Sequence, residues 1–127
     1  MSNSILSDEQ AKRIFVNYGI EKEEFEQLHR RGCYMSGRPL EEYGPGPFKT
    51  CIDHSHEALD LGYDKRTAVR GLTFNRYNQM LGHYGDSGRN LIEIGIRVAR
   101  ADVAEDINAL IRLQNTLSFL IKERTNQ

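Results

Sequence analysis

The chain has 127 residues, with 17 Lys and Arg against 18 Asp and Glu and 39% apolar residues. That length suits one domain with an appended helix, and the near-neutral balance excludes a chain held open by its own charge. Two cysteines exclude a disulfide scaffold, no run approaches the roughly 18 unbroken apolar residues of a membrane span, and Met1 to Gln10 has no basic segment leading into an apolar block, so a cytoplasmic setting is expected.

Charge is unevenly spread. Residues 1–27 carry 3 basic and 6 acidic side chains, residues 28–78 carry 8 and 6, and residues 79–127 carry 6 of each. The middle is mildly basic, which points only weakly to nucleic acid, although a single patch is enough to neutralise phosphates.

Ser7 followed by Gln10 predicts a capping box, opening a helix over Asp8 to Asn17 with Ala11, Ile14 and Phe15 inward and Gly19 as its stop. A second helix is expected over Glu21 to Arg31, with Phe25 and Leu28 inward and Gly32 beyond it. Cys33 to Pro39 reads as a tight turn, and Tyr43 to Pro47 as a loop. Phe48 to Asp53 suits a strand, His54 to Thr67 a polar loop, Ala68 to Phe74 a second strand and Asn75 to Leu81 a short helix. Leu91 to Val98 alternates like a strand but also fits a helix face, and helix is favoured because an Ala- and Arg-containing stretch follows. Val103 to Arg124 is the clearest helix, with Val103, Ile107, Leu110, Leu117 and Ile121 in one row widened by Leu113 and Leu120. Such a row needs a partner, either its own domain or a second subunit.

The chemistry concentrates in Cys51-Ile-Asp53-His54-Ser-His56 and in Ala68-Val-Arg70-Gly71-Leu-Thr-Phe74-Asn-Arg-Tyr77-Asn78. The first run puts a carboxylate and two imidazoles at a strand end. The second is a strand leading into a helix that carries a carboxamide. If the strands pair, the helix folds back and Asn78 approaches Asp53. Mg²⁺ takes one or two oxygens from protein and the rest from water and phosphate, which Asp53 and Asn78 would supply. A neutral His54 suits proton removal from water, and His56 suits a phosphate contact. Taken alone, Asp-His is a common dipeptide, His-x-His is more often a surface or transition-metal feature, and Asn78 reads equally well as an exposed helix residue.

Several co-linear segments resemble the recombination endonuclease VII family, within the His-Me finger (HNH) nucleases. They are Tyr18-Gly19 with its helix, Cys33-Tyr-Met-Ser36-Gly37-Arg38-Pro39, Asp53-His54-Ser55-His56, Val69-Arg70-Gly71-Leu72 through Asn78, and Leu81-Gly82 to Gly85-Asp86. The resemblance covers about residues 14 to 98 and implies an α+β fold. Its core would be a small ββα-metal nuclease unit in residues 1–100 with N-terminal helices, followed by a C-terminal helix over 101–127 as a candidate dimerisation element. It implies Asp53 and Asn78 as ligands of a catalytic Mg²⁺ (or Mn²⁺), His54 as general base and His56 as phosphate contact. It further implies a phage-encoded DNA endonuclease, a homodimer, with branched DNA such as Holliday junctions among its substrates.

The chain departs from the family pattern in two places. The family carries four zinc-binding cysteines; here Cys33 stands with Ser36, Phe74 and Tyr77, so no structural zinc is expected. Phe74 and Tyr77 are expected to fill the vacated volume instead, and a Cys33–Cys51 disulfide is conceivable but disfavoured in a reducing compartment. Ser55 stands where the family has Asp. Lys65, Arg66, Arg70 and Arg76 are the expected DNA contacts, with a salt bridge the competing role for Arg70. The alternatives are a catalytically inactive DNA-binding module on the same fold and an interaction protein built on the C-terminal helix.

Overall fold

A computed structural model describes residues 5–101 and 107–126. The chain is α+β, with helices around a two-stranded antiparallel sheet. It divides into two compact units, Met1–Gly88 and Arg89–Gln127, earlier than the boundary expected near residue 100.

Helix α1 (Asp8–Tyr18) starts where the capping box predicts: Ser7 Oγ accepts from the Gln10 amide at 3.1 Å, and Gln10 Oε1 accepts from the Ser7 amide at 2.9 Å. Gly19, at φ 69°, ends it in the left-handed region. Ile14 is buried, but Phe15 is half exposed, contrary to its expected inward place. One residue is a 100° turn, and the core is met through Ala11, Ile14 and Tyr18, three and four residues apart. Helix α2 (Lys22–Arg31) buries Phe25 completely, and the two helices close over Leu6, Ile20, Ile52 and Leu72.

Strand β1 (Thr50–His54) begins two residues later than expected, because Phe48 lies in a turn and is exposed. It pairs with β2 (Val69–Phe74), Thr50 opposite Phe74 and Asp53 opposite Gly71, with an irregularity between Asp53 and His54. The expected loop between the strands contains two short helices, α3 (His56–Asp60) and α4 (Lys65–Ala68). Polar composition hid them. Each is started by a side-chain cap: Ser55 Oγ accepts from the Ala58 amide at 3.1 Å, and Asp64 Oδ1 from the Thr67 amide at 2.7 Å. Helix α5 (Asn75–His83) follows β2 directly and packs against both strands.

In the second unit, α6 (Gly88–Ala101) is helical over the ambiguous stretch, and α7 is Ile107–Thr125. The start expected at Val103 lies outside the described residues. Neither helix has a fully buried residue. Leu110, Leu113 and Leu117 are half-buried, whereas Ile107, Leu120 and Ile121 are exposed.

Candidate active site

The tight turn after α2 is tied to β2. The Tyr34 amide donates to the Leu72 carbonyl at 3.0 Å, and Cys33 Sγ and Thr73 Oγ1 lie 3.1 Å apart. Cys33 is buried and also hydrogen-bonds Ser36. Phe74 and Tyr77 meet edge-to-face at 5.3 Å, but both stay half-buried, so they form a shallow aromatic cluster rather than a closed core. Cys33 and Cys51 are free thiols.

The same turn lays Tyr34 across Gly71. A Cβ on Gly71 would come within 2.9 Å of the tyrosine ring, and its φ of 155° also disfavours a side chain. Tyr34 thereby reaches Asp53 and donates its hydroxyl to Oδ2. Burial, and then this hydrogen bond, raise the Tyr34 phenol pKa above its ordinary value.

Asp53 is 1% exposed and is held from its other side by Arg70. Arg70 Nη2 donates to Oδ1 at 3.1 Å, while Nε sits 3.0 Å from Oδ2, misaligned for a hydrogen bond. The same Nη2 lies 2.5 Å from Asp86 Oδ1 and 3.2 Å from the His54 carbonyl, so its two protons are shared among three acceptors. Nη1 donates to the Asp86 carbonyl at 3.2 Å. Asp86 adopts a left-handed φ of 55°, and its Oδ2 sits 3.5 Å from the His56 amide, the outer limit of a hydrogen bond. Arg70 thus takes the salt-bridge role and joins β1, β2 and the turn after α5.

The imidazoles lie beside this network. The His54 and His56 rings are 4.7 Å apart, and Tyr18 lies 5.6 Å from His54. His54 lines a cleft of about 150 Å³ with Asn17, Tyr18, Leu59 and Lys65. His54 and His56 are therefore together and Asp53 is directly behind them in the strand. Asn78 is half-buried on α5 and lines a different cleft, of about 500 Å³, against the Gly44–Pro47 loop.

Asp53 and Asn78, as placed, do not fit a hydrated Mg²⁺. The aspartate is sealed from solvent and faces a guanidinium, the group that most directly opposes a cation there. Among the described residues, no group of three or more His, Cys, Asp or Glu side chains is disposed to hold a metal ion.

The expected DNA contacts separate by partner. Arg66 makes a bidentate pair with Glu24, both bonds 2.9 Å, which lowers the Glu24 pKa through the hydrogen bond it donates. Arg70 is engaged as above. Lys65 donates to the Val16 carbonyl at 3.1 Å yet still lines the His54 cleft. Arg76 lies 5.9 Å over the Phe48 ring. Sequence reasoning assigned no role to Tyr34, whose one signal is its place in the Cys33–Pro39 turn, or to Asp86, whose signal is the Gly85-Asp86 pair. No family model matches this chain, and neither does any curated protein or solved structure.

Proposed function

We propose that this chain is a DNA endonuclease of the ββα-metal class, hydrolysing phosphodiester bonds, with branched DNA among its substrates. The observation that carries the reading is the juxtaposition of His54 and His56, 4.7 Å apart, at the end of a strand whose partner leads into a helix packed on both strands. His54, half-buried at the edge of a cleft, takes the proton of the attacking water; general-base catalysis of this kind contributes about 10²–10⁴-fold. His56, exposed beside it, holds the phosphate by hydrogen bonds. Arg70, bonded to the His54 carbonyl and to Asp86, fixes the end of β1 that carries His54, next to the start of α3 that carries His56. A divalent cation, Mg²⁺ or Mn²⁺, would supply charge stabilisation at the phosphate, but Asp53, closed by Arg70 and Tyr34, would not hold it as placed. The homodimer belongs to the same proposal: α6 and α7 expose Val98, Ile107, Phe119 and Ile121, apolar surface that a second copy would cover.

The test is nicking of supercoiled plasmid with Mg²⁺, with and without EDTA. Wild-type protein should nick only with the cation, and His54→Ala should lose at least a hundredfold in rate. Cleavage undiminished in that variant would reject the mechanism. One observation favours a second reading, a DNA-binding module without cleavage: the sealing of Asp53. Retained DNA binding with no nicking in any divalent cation would decide for it.

A further inference from the structure

Three adjoining clefts run along the first unit. The His54 cleft shares Asn17 and Tyr18 with a central cleft of about 370 Å³. The central cleft shares Gly44, Pro45 and Asn75 with the cleft of about 500 Å³ that Asn78 lines. His54 and Asn78 therefore line neighbouring clefts on either side of the central one.

These clefts are selective in charge. Among the described residues, no carboxylate lines any of the three clefts. Two cations do, Lys65 beside His54 and Arg13 in the centre. Arg13 forms no ion pair among the described residues and lines the central cleft together with Tyr43. One wall is helical: Gln10, Arg13 and Asn17 are spaced by three and four residues and share a face of α1. The facing wall is the loop from Tyr43, pinned by Asn75 Nδ2, which donates to the Gly44 and Gly46 carbonyls at 2.8 and 2.7 Å. Carboxamides and tyrosines beside a guanidinium are groups that hydrogen-bond and stack on bases while a phosphate is neutralised.

We infer that these adjoining clefts together form a groove for one strand of a polynucleotide, with Arg13 contacting a phosphate between the His54 and Asn78 clefts. The inference rests on the endonuclease reading and extends it to residues outside the Asp-His-x-His cluster. A strand is favoured over a lone nucleotide because further clefts adjoin the central one on both sides, toward His54 and toward Asn78.

The test is fluorescence anisotropy with a labelled 20-nucleotide DNA, single-stranded and duplex, in EDTA across a salt series, for wild type, Arg13→Ala, Arg13→Glu and Arg13→Lys. Arg13 is exposed, so these variants retain the fold. Arg13→Ala should weaken binding about tenfold and lower the log–log salt slope by about 0.7 on single strands or 0.9 on duplex. Arg13→Glu should weaken it further, and Arg13→Lys should restore most of the slope. Wild-type binding with unchanged affinity and slope in all three variants would overturn the groove while leaving the endonuclease reading in place. Equal competition by a mononucleotide would overturn the strand in favour of a single-phosphate pocket. No wild-type binding at 25 mM salt, together with no plasmid nicking, would remove the endonuclease reading and the groove with it.

Discussion

Arg70 does the most connecting of any side chain in the first unit. It neutralises a carboxylate that is 1% exposed, while a quarter of its own side chain stays accessible. Removing one partner of a buried pair strands the other charge, which costs about 3–5 kcal/mol; the low end applies here because water can reach part of the site. Arg70→Ala should therefore lower unfolding stability by about 3 kcal/mol in urea titration. The double variant Arg70→Met with Asp53→Leu should recover most of that loss, and failure to recover would mean Arg70 acts mainly through Asp86 and the His54 carbonyl. The same neighbourhood sets an alkaline limit. Burial above all, with Asp53 and Cys33 adding, pushes the Cys51 thiol up to about 12. Burial and the bond to Asp53 raise Tyr34. In the unfolded chain these groups lose protons near pH 8.5 and 10. Between those values and the folded ones the native state binds more protons, so stability falls as pH rises. The urea midpoint should hold at pH 7.5 and drop by pH 10.5, with Cys51→Ala reducing the drop; a midpoint unchanged to pH 10.5 would contradict this.

Among the elements, α1 is the one whose ends are set locally. Ser7→Ala removes one side of the capping box and should cost about 1 kcal/mol, read from the thermal midpoint. Because α1 supplies both Ile14 to the core and Arg13 to the groove, that loss should appear as global destabilisation with little change in DNA affinity under native conditions. Helices α3 and α4 show the reverse. Their caps, Ser55 and Asp64, were readable as residue types, but helices of five and four residues carry too little periodicity to be told from a polar loop. Ser55 caps α3 directly beside His54, its side chain accepting from the Ala58 amide.

At the scale of the whole chain, the two units differ in how they meet water. The first encloses Ile14, Ile20, Phe25 and Leu72 almost completely, and the second has no fully buried side chain among its described residues. Under the proposed homodimer, light scattering after size exclusion should give twice the chain mass, and truncation after Ala101 should return the monomer. An unchanged mass would remove α7 from the assembly. No helix among the described residues is long and apolar enough to cross a membrane.

The sequence alone determined what short-range chemistry determines. The capping box at Ser7 and Gln10, the stop at Gly19, the strand character of β1 and β2 and the helicity of residues 91–98 all follow from neighbours within a few positions. Tertiary structure decided what lies between distant segments. Asp53, which its sequence context offers to a cation, is matched by Arg70 and Tyr34, 17 and 19 residues away. Arg66, an expected phosphate contact, is bound by Glu24 from 42 residues away, while Arg13 forms no ion pair among the described residues. A charge takes whichever partner folding brings within a few ångströms, and that choice is made by packing of the whole chain rather than by the residues beside it.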